Sequence, residues 1–230
     1  MRIGGFQKMT VLDYPGRVAC TVFLAGCNFR CPFCHNALLV TKQTDDEISA
    51  EDVISYLSKR KGLLDGVCIT GGEPLLNEDI ELLLTPIKEL GYSIKIDTNG
   101  SRPEVLKRLV EKGLADYVAM DIKACAEDYP TVSGVKGVSF TDISESIQYI
   151  MHCGVDYEFR TTVVKELHTT DSIASAAKMI QGAKRYYLQA FKDSGEQLIQ
   201  NGFSAHSRET MEEMLVQVQK FVPSAEIRGL

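Results

Sequence analysis

Leu24-Ala25-Gly26-Cys27-Asn28-Phe29-Arg30-Cys31-Pro32-Phe33-Cys34-His35-Asn36 sets three cysteines in a C-x3-C-x2-C spacing, directly after the apolar run 18–26. Three thiolates in so short a loop can all turn inward around one metal centre once deprotonated. The fourth cysteine is what is missing. Iron–sulfur cubanes that only carry electrons are held by four cysteines, so three leave one iron open to a non-protein ligand, and an open iron suggests chemistry. The same stretch also offers a Cys3His zinc site through Cys27, Cys31, Cys34 and His35, although His35, next to Cys34, is awkwardly placed to turn toward a shared metal. From this stretch alone both readings stand.

Outward from the loop, strand-like and helix-like segments alternate from end to end, which is the α/β pattern. The segments 18–24, 66–70, 93–98, 117–122, 157–164 and 185–190 are short and rich in β-branched or aromatic residues, and are predicted as strands. Helices are predicted between them. One begins at Ser49, with Asp52 three residues on as in a capping box. Others carry the stripes Leu82, Leu83, Ile87, Leu90 before Gly91, and Val105, Leu106, Leu109, Val110 between Pro103 and Gly113. Two more follow Asp142 and Asp171, and a last one over 210–221 stops before Pro223. Six strands each followed by a helix favour a parallel sheet with right-handed crossovers, either an open barrel or a doubly wound sheet.

The length of 230 residues suits one large α/β domain. A net charge of −6 argues against a broad nucleic-acid footprint, because phosphate binding needs a basic surface that this balance does not supply on average. The start Met1-Arg2-Ile3-Gly4 lacks a signal-peptide core, and no apolar run approaches the roughly 20 residues that span a bilayer, so a soluble, cytoplasmic protein without membrane contact is expected. Thiols in a reducing compartment are ligands rather than disulfide halves. Cys20, Cys68, Cys125 and Cys153 stand singly and read as small buried hydrophobes.

Unusual residues fall at successive strand ends. After the second strand comes Thr70-Gly71-Gly72-Glu73-Pro74, where paired glycines permit close backbone approach and Glu73 adds a carboxylate. The third ends in Asp97-Thr98-Asn99-Gly100 and the fourth in Met120-Asp121-Ile122-Lys123, with acid and base at i, i+2 on one face. Each alone is an ordinary turn or a local ion pair; four coinciding at strand ends are poorly explained as independent turns.

The cysteine loop with an aromatic at Phe33, followed after the next strand by Gly-Gly-Glu-Pro, resembles the radical S-adenosylmethionine (SAM) superfamily. Residues 24–28, Cys34-His35-Asn36, Asp97-Thr98-Asn99-Gly100 and Asp121-Ile122-Lys123 resemble its activating enzymes of glycyl-radical proteins. The nearest likeness is to the longer anaerobic ribonucleoside-triphosphate reductase activating proteins, whose Asp13-Tyr14-Pro15-Gly16 pattern is also present, and pyruvate formate-lyase activators are similar in the same places. The resemblance implies a single radical SAM domain over residues 1–230, folded as a partial (βα)6 TIM-like barrel. Cys27, Cys31 and Cys34 would hold a [4Fe–4S] cluster whose open iron chelates S-adenosylmethionine, and one electron would cleave its S–C bond to a 5′-deoxyadenosyl radical.

For the site residues the resemblance implies backbone contacts from Gly71 and Gly72 to the methionine end, and Glu73 as partner of its ammonium. Phe33, Cys34 and His35 would meet the adenine or ribose. Asp97, Thr98, Ala119 (through its carbonyl) and Asp121 would form a monovalent-cation site of hard oxygen donors. Ile122 and Lys123 would border the cofactor, and Arg160 would do the same or pair with Glu158. Phe191 replaces the histidine of pyruvate formate-lyase activators near the ribose, which turns the expectation away from that substrate, and no ferredoxin-like cysteine-rich insertion is present, so one cluster is expected. The implied partners are a glycyl-radical enzyme and a low-potential donor such as flavodoxin or ferredoxin. The alternatives are another glycyl-radical activator, a small-molecule radical enzyme such as a 7-carboxy-7-deazaguanine synthase, and, from a different class, a non-catalytic zinc-binding interaction module.

Overall fold

The computed structural model describes residues 1–41, 48–193, 195, 197–199 and 202–230. Among them are eight strands: β1 (Ile3–Thr10), β2 (Ala19–Leu24), β3 (Gly66–Gly71), β4 (Ser93–Thr98), β5 (Tyr117–Asp121), β6 (Asp156–Val163), β7 (Tyr186–Ala190) and β8 (Glu226–Arg228). The helices are α1 (Ala37–Thr41), α2 (Ala50–Ser58), α3 (Glu81–Glu89), α4 (Pro103–Glu111), α5 (Tyr129–Ser133), α6 (Phe140–His152), α7 (Thr170–Met179) and α8 (Arg208–Val218), with a single 3-10 turn at Pro74–Leu76. The described residues form two compact units. The first comprises Met1–Asn28, Leu38–Thr98 and Arg102–Val118, and the second Phe29–Ala37, Asn99–Ser101 and Ala119–Leu230.

In the first unit β2, β3 and β4 pair in parallel, Thr21 beside Cys68 and Cys68 beside Lys95. β2 reads Ala-Cys-Thr-Val-Phe-Leu with five of six residues buried, the near-continuous run of a strand covered on both faces. β1 joins β2 antiparallel, with slips in register between Ile3 and Gly5 and between Gln7 and Thr10. In the second unit β6, β7 and β8 are parallel, with Phe159 beside Tyr186 and Leu188 beside Ile227. The fold is therefore α/β with a mostly parallel sheet, as expected.

The helix starts follow local chemistry. Ser49 and Asp52 form the full capping box of α2, satisfying two otherwise orphaned N–H groups. Val53 and Leu57, one turn apart, are fully buried, each contributing about 2 kcal/mol. α6 is capped by Ser139 and α7 by Thr169, two or three residues ahead of the aspartates that mark them in the sequence. α8 runs from Arg208 to Val218, shifted toward the N-terminus of the predicted 210–221. Two strands lay outside the prediction. β1 carries a Gly-Gly pair and no alternation of burial, and β8 is three residues long.

Candidate active site

In the first unit the Gly-Gly-Glu loop locks onto the chain that leads into the cysteines. Gly72 N–H donates to the Leu24 carbonyl at 2.8 Å, and Glu73 N–H to the Gly26 carbonyl at 2.8 Å. Gly71 has φ +119°, a conformation only glycine takes readily. A Cβ on Gly72 would lie 2.1 Å from the Gly26 oxygen. The pair of glycines is thus required by the close approach of two backbones, and one of them brackets Cys27, whose Cβ is 3.3 Å from the same point. Glu73 is fully buried. Its Oε1 accepts from Leu75 N–H at 3.1 Å, capping the 3-10 turn, and from the Thr98 hydroxyl at 2.8 Å, which ties the second strand-end motif to the third.

At the end of β4, Asp97 is ion-paired through Oδ1 with the ammonium of Lys95, two residues back on the same strand face. Cys68 Sγ lies 3.7 Å from that ammonium and 3.8 Å from Asp97 Oδ1. Next to Cys68 in register, Thr21 donates its hydroxyl to Asp13 Oδ2 at 2.6 Å. The neighbouring Tyr14 is buried, and burial pushes its phenol up to about 12. Lys95 was not singled out in the sequence, although its spacing from Asp97 repeats that of Asp121 and Lys123 and could have flagged it.

In the second unit, the loop carrying Cys31 and Cys34 is pinned by backbone bonds. Cys34 N–H closes a turn on the Cys31 carbonyl at 3.0 Å, Arg30 N–H donates to the Ser133 carbonyl at 2.8 Å, and Ile199 N–H to the Pro32 carbonyl at 3.0 Å. Phe29 meets Tyr129 edge to face, and Phe33 is buried. Burial pushes the Cys31 thiol up, and the nearby Lys123 ammonium pulls part of that back. Lys123 donates to Asp121 Oδ2 at 2.9 Å, while Arg160 Nε donates to Asp121 Oδ1 at 2.9 Å. Burial would raise the Asp121 carboxyl, but Arg160 and then Lys123 outweigh it and hold the group well below the usual carboxylate range. Arg160 also stands 4.0 Å from Glu158, so both of its expected pairings coexist. Ala119 and Ile122 are fully buried, and Ile122 N–H donates to the Arg160 carbonyl at 2.8 Å.

His35 stacks on Phe191, with ring centroids 5.6 Å apart and planes inclined by 24°. Burial lowers the His35 pKa against an opposing pull from Asp193, so the stacked ring is neutral at pH 7. A second histidine escaped notice in the sequence. His168 is buried, accepts from Val164 N–H on Nδ1 at 3.0 Å, and therefore donates from Nε2 to the Lys123 carbonyl at 2.8 Å. Burial lowers its pKa, so its neutral form stabilises the fold fully above the unfolded value of about 6.5, and that stability is lost as pH falls through it. Urea unfolding at about pH 7.5 and about pH 5.5 should show weaker stability at the lower value. The difference should shrink in His168→Gln; an unchanged difference would remove His168 from this account.

Soft thiols are the donor type that iron–sulfur groups take, and the ammonium near Cys31 offsets part of the cost that burial puts on its thiolate. Among the described residues no three Cys, His, Asp or Glu side chains gather as ligands of one ion. The family model described as the radical SAM superfamily matches residues 21–179. The chain belongs to the radical SAM superfamily. It is 31% identical over 188 residues to the pyruvate formate-lyase-activating enzyme of Clostridium pasteurianum, covering 77% of this chain and 74% of that one. A Methanocaldococcus jannaschii protein, MJ1227, whose provisional assignment is a glycyl-radical enzyme activating enzyme, is 29% identical over 83% of this chain and 80% of its own. In fold, the chain resembles a radical SAM methyltransferase from Sphaerobacter thermophilus, with a TM-score of 0.74, 15% identity and coverage of 94% of this chain and 67% of that one. Radical SAM enzymes use a [4Fe–4S] cluster and S-adenosylmethionine, and this chain is an enzyme of that kind. Among the described residues no helix is long and apolar enough to cross a membrane.

Proposed function

We propose that the chain is a cytoplasmic activating enzyme that generates a glycyl radical on anaerobic ribonucleoside-triphosphate reductase, working as a single radical SAM domain with flavodoxin or ferredoxin as electron donor. The observation that carries the activating-enzyme part of this reading is the 31% identity, over most of both chains, to an enzyme named for activating pyruvate formate-lyase. The reductase is preferred as partner because the Asp13-Tyr14-Pro15-Gly16 pattern is present and Phe191 stands where pyruvate formate-lyase activators have histidine.

In this reading Cys27, Cys31 and Cys34 would hold the cluster, which would supply the one electron that breaks an S–C bond of S-adenosylmethionine. The protein's own residues orient and shield. Gly71 and Gly72 keep the backbone beside Cys27 tight enough to receive the methionine end, with Glu73 fixed behind them. Lys123 and Arg160, held by Asp121 and seated beside buried Ile122, present fixed positive charge to the cofactor carboxylate. Phe33, Cys34 and His35 line the nucleoside end, and the His35–Phe191 stack gives it a flat, neutral surface.

The test is anaerobic. The protein is reconstituted with iron and sulfide, reduced, and given S-adenosylmethionine with the reductase, with pyruvate formate-lyase, or alone. Production of 5′-deoxyadenosine with a glycyl radical signal on the reductase is the expected result. A signal only on pyruvate formate-lyase would replace the partner, and cleavage with no protein radical would point to a small-molecule substrate instead.

A further inference from the structure

Lys95 lies in the interior of β4 and is 1% exposed. An ammonium taken out of water needs an opposite charge and hydrogen-bond partners. Its partner is Asp97, one of the oxygen donors expected to hold a monovalent cation, with Cys68 Sγ at 3.7 Å on the adjacent strand. Thr98, a second expected donor, donates a hydrogen bond from its hydroxyl to Glu73 Oε1 at 2.8 Å. In the other unit, the Asp121 carboxylate accepts from both Lys123 and Arg160. Each carboxylate assigned to the cation site is therefore already compensated by a protein cation in its own unit, and an alkali-metal ion would have to approach Asp97 against an ammonium tethered beside it. These residues do not fit a site that needs an added ion.

We propose that Lys95 is the built-in cation of the Asp97 site, so that the protein binds S-adenosylmethionine without an alkali metal. A tethered ammonium has two consequences. It holds Asp97 oriented with no ion to recruit, and it makes the site indifferent to the sodium or potassium content of the medium. Lys95 acts here as a positioning residue through Asp97. The part of the proposal that concerns S-adenosylmethionine rests on Asp97 belonging to the cofactor site.

The test separates the two. Thermal unfolding of the reconstituted protein and its dissociation constant for S-adenosylmethionine are measured in tetramethylammonium chloride, replaced stepwise by sodium or potassium chloride at constant ionic strength. Both quantities should stay flat for the wild type. Lys95→Met should bind S-adenosylmethionine about tenfold more weakly without alkali metal and recover when sodium or potassium is added, with its melting midpoint rising in parallel. A wild type whose midpoint or affinity rises with alkali metal overturns the proposal, and so does a Lys95→Met variant that loses affinity with no rescue by either ion. If Lys95→Met fails to fold, Lys95→Gln takes its place, and the wild-type titration still decides. Absence of S-adenosylmethionine binding in every buffer would instead count against the functional reading, with the wild-type melting curves left to judge Lys95.

Discussion

Cys31→Ala is expected to give a folded protein that is colourless after reconstitution and cleaves no S-adenosylmethionine above background. The fold should survive because the loop is held by its main chain: Cys34 to Cys31, Arg30 to Ser133 and Ile199 to Pro32 are all backbone bonds that an alanine leaves in place. Removing one buried sulfur leaves a small cavity, costing about 1 kcal/mol. In the proposed assignment the cluster, by contrast, would lose one of three protein ligands, and no cysteine of this loop is spare. Cys125→Ala is the control, since Cys125 is equally buried but bonds to Asp128 outside the loop. It should keep iron, sulfide and activity. Iron and sulfide content, circular dichroism and 5′-deoxyadenosine yield together check the pair, and full iron content with full activity in Cys31→Ala would refute the ligand assignment.

Gly72→Ala should fail by a different route, losing the cluster with every cysteine intact. The added methyl would sit 2.1 Å from the Gly26 carbonyl oxygen and 3.3 Å from Cys27 Cβ. The nearest obstacle is backbone, so relief requires moving the segment that carries Cys27. Overpacking of this kind costs about 1–3 kcal/mol, and here the displacement falls on Cys27, one of the three proposed ligands. Gly91→Ala separates this effect from ordinary glycine strain. Gly91 has the positive φ, +92°, that Gly72 lacks, and a Cβ there meets open space. It should lower stability by about 1–2 kcal/mol and leave cluster content unchanged. Thermal unfolding and iron content of both variants decide the matter; equal cluster retention would show that the Gly72–Gly26 contact does not position Cys27.

Much of the fold was legible because its strongest signals are local. The strand at Ser93–Thr98 matches its prediction end to end, and the capping box at Ser49 and Asp52 forms as read. β1 was illegible because a strand that pairs on one side and slips twice in register keeps no regular alternation. The short α5 was missed because Tyr129 and Val132 are buried by neighbours distant in sequence, Phe29 among them. The site shows the same split. The cysteines and the glycine pair announce themselves by spacing, since covalent geometry dictates what a short loop can do. What the polar residues hold is set by packing. The sequence alone leaves open whether Arg160 meets Asp121 or Glu158, and in the fold it reaches both. Lys95 and His168 each look like an ordinary strand or loop residue until the fold buries them.

The two slips that hid β1 from sequence reading also bear on how the protein behaves while it waits for its cluster. An outermost strand is a template on which another chain can add, and here that edge is already engaged at Ile3, bridged to Ile48, and at the Lys8 carbonyl, which accepts from the Tyr56 hydroxyl. β1 breaks that template twice within eight residues and carries exposed Gln7 and Lys8 in its second half. A stranger strand would find no continuous register to copy and a charge that resists burial. Irregularity at this margin thus denies a second copy of the chain a continuous edge on which to add.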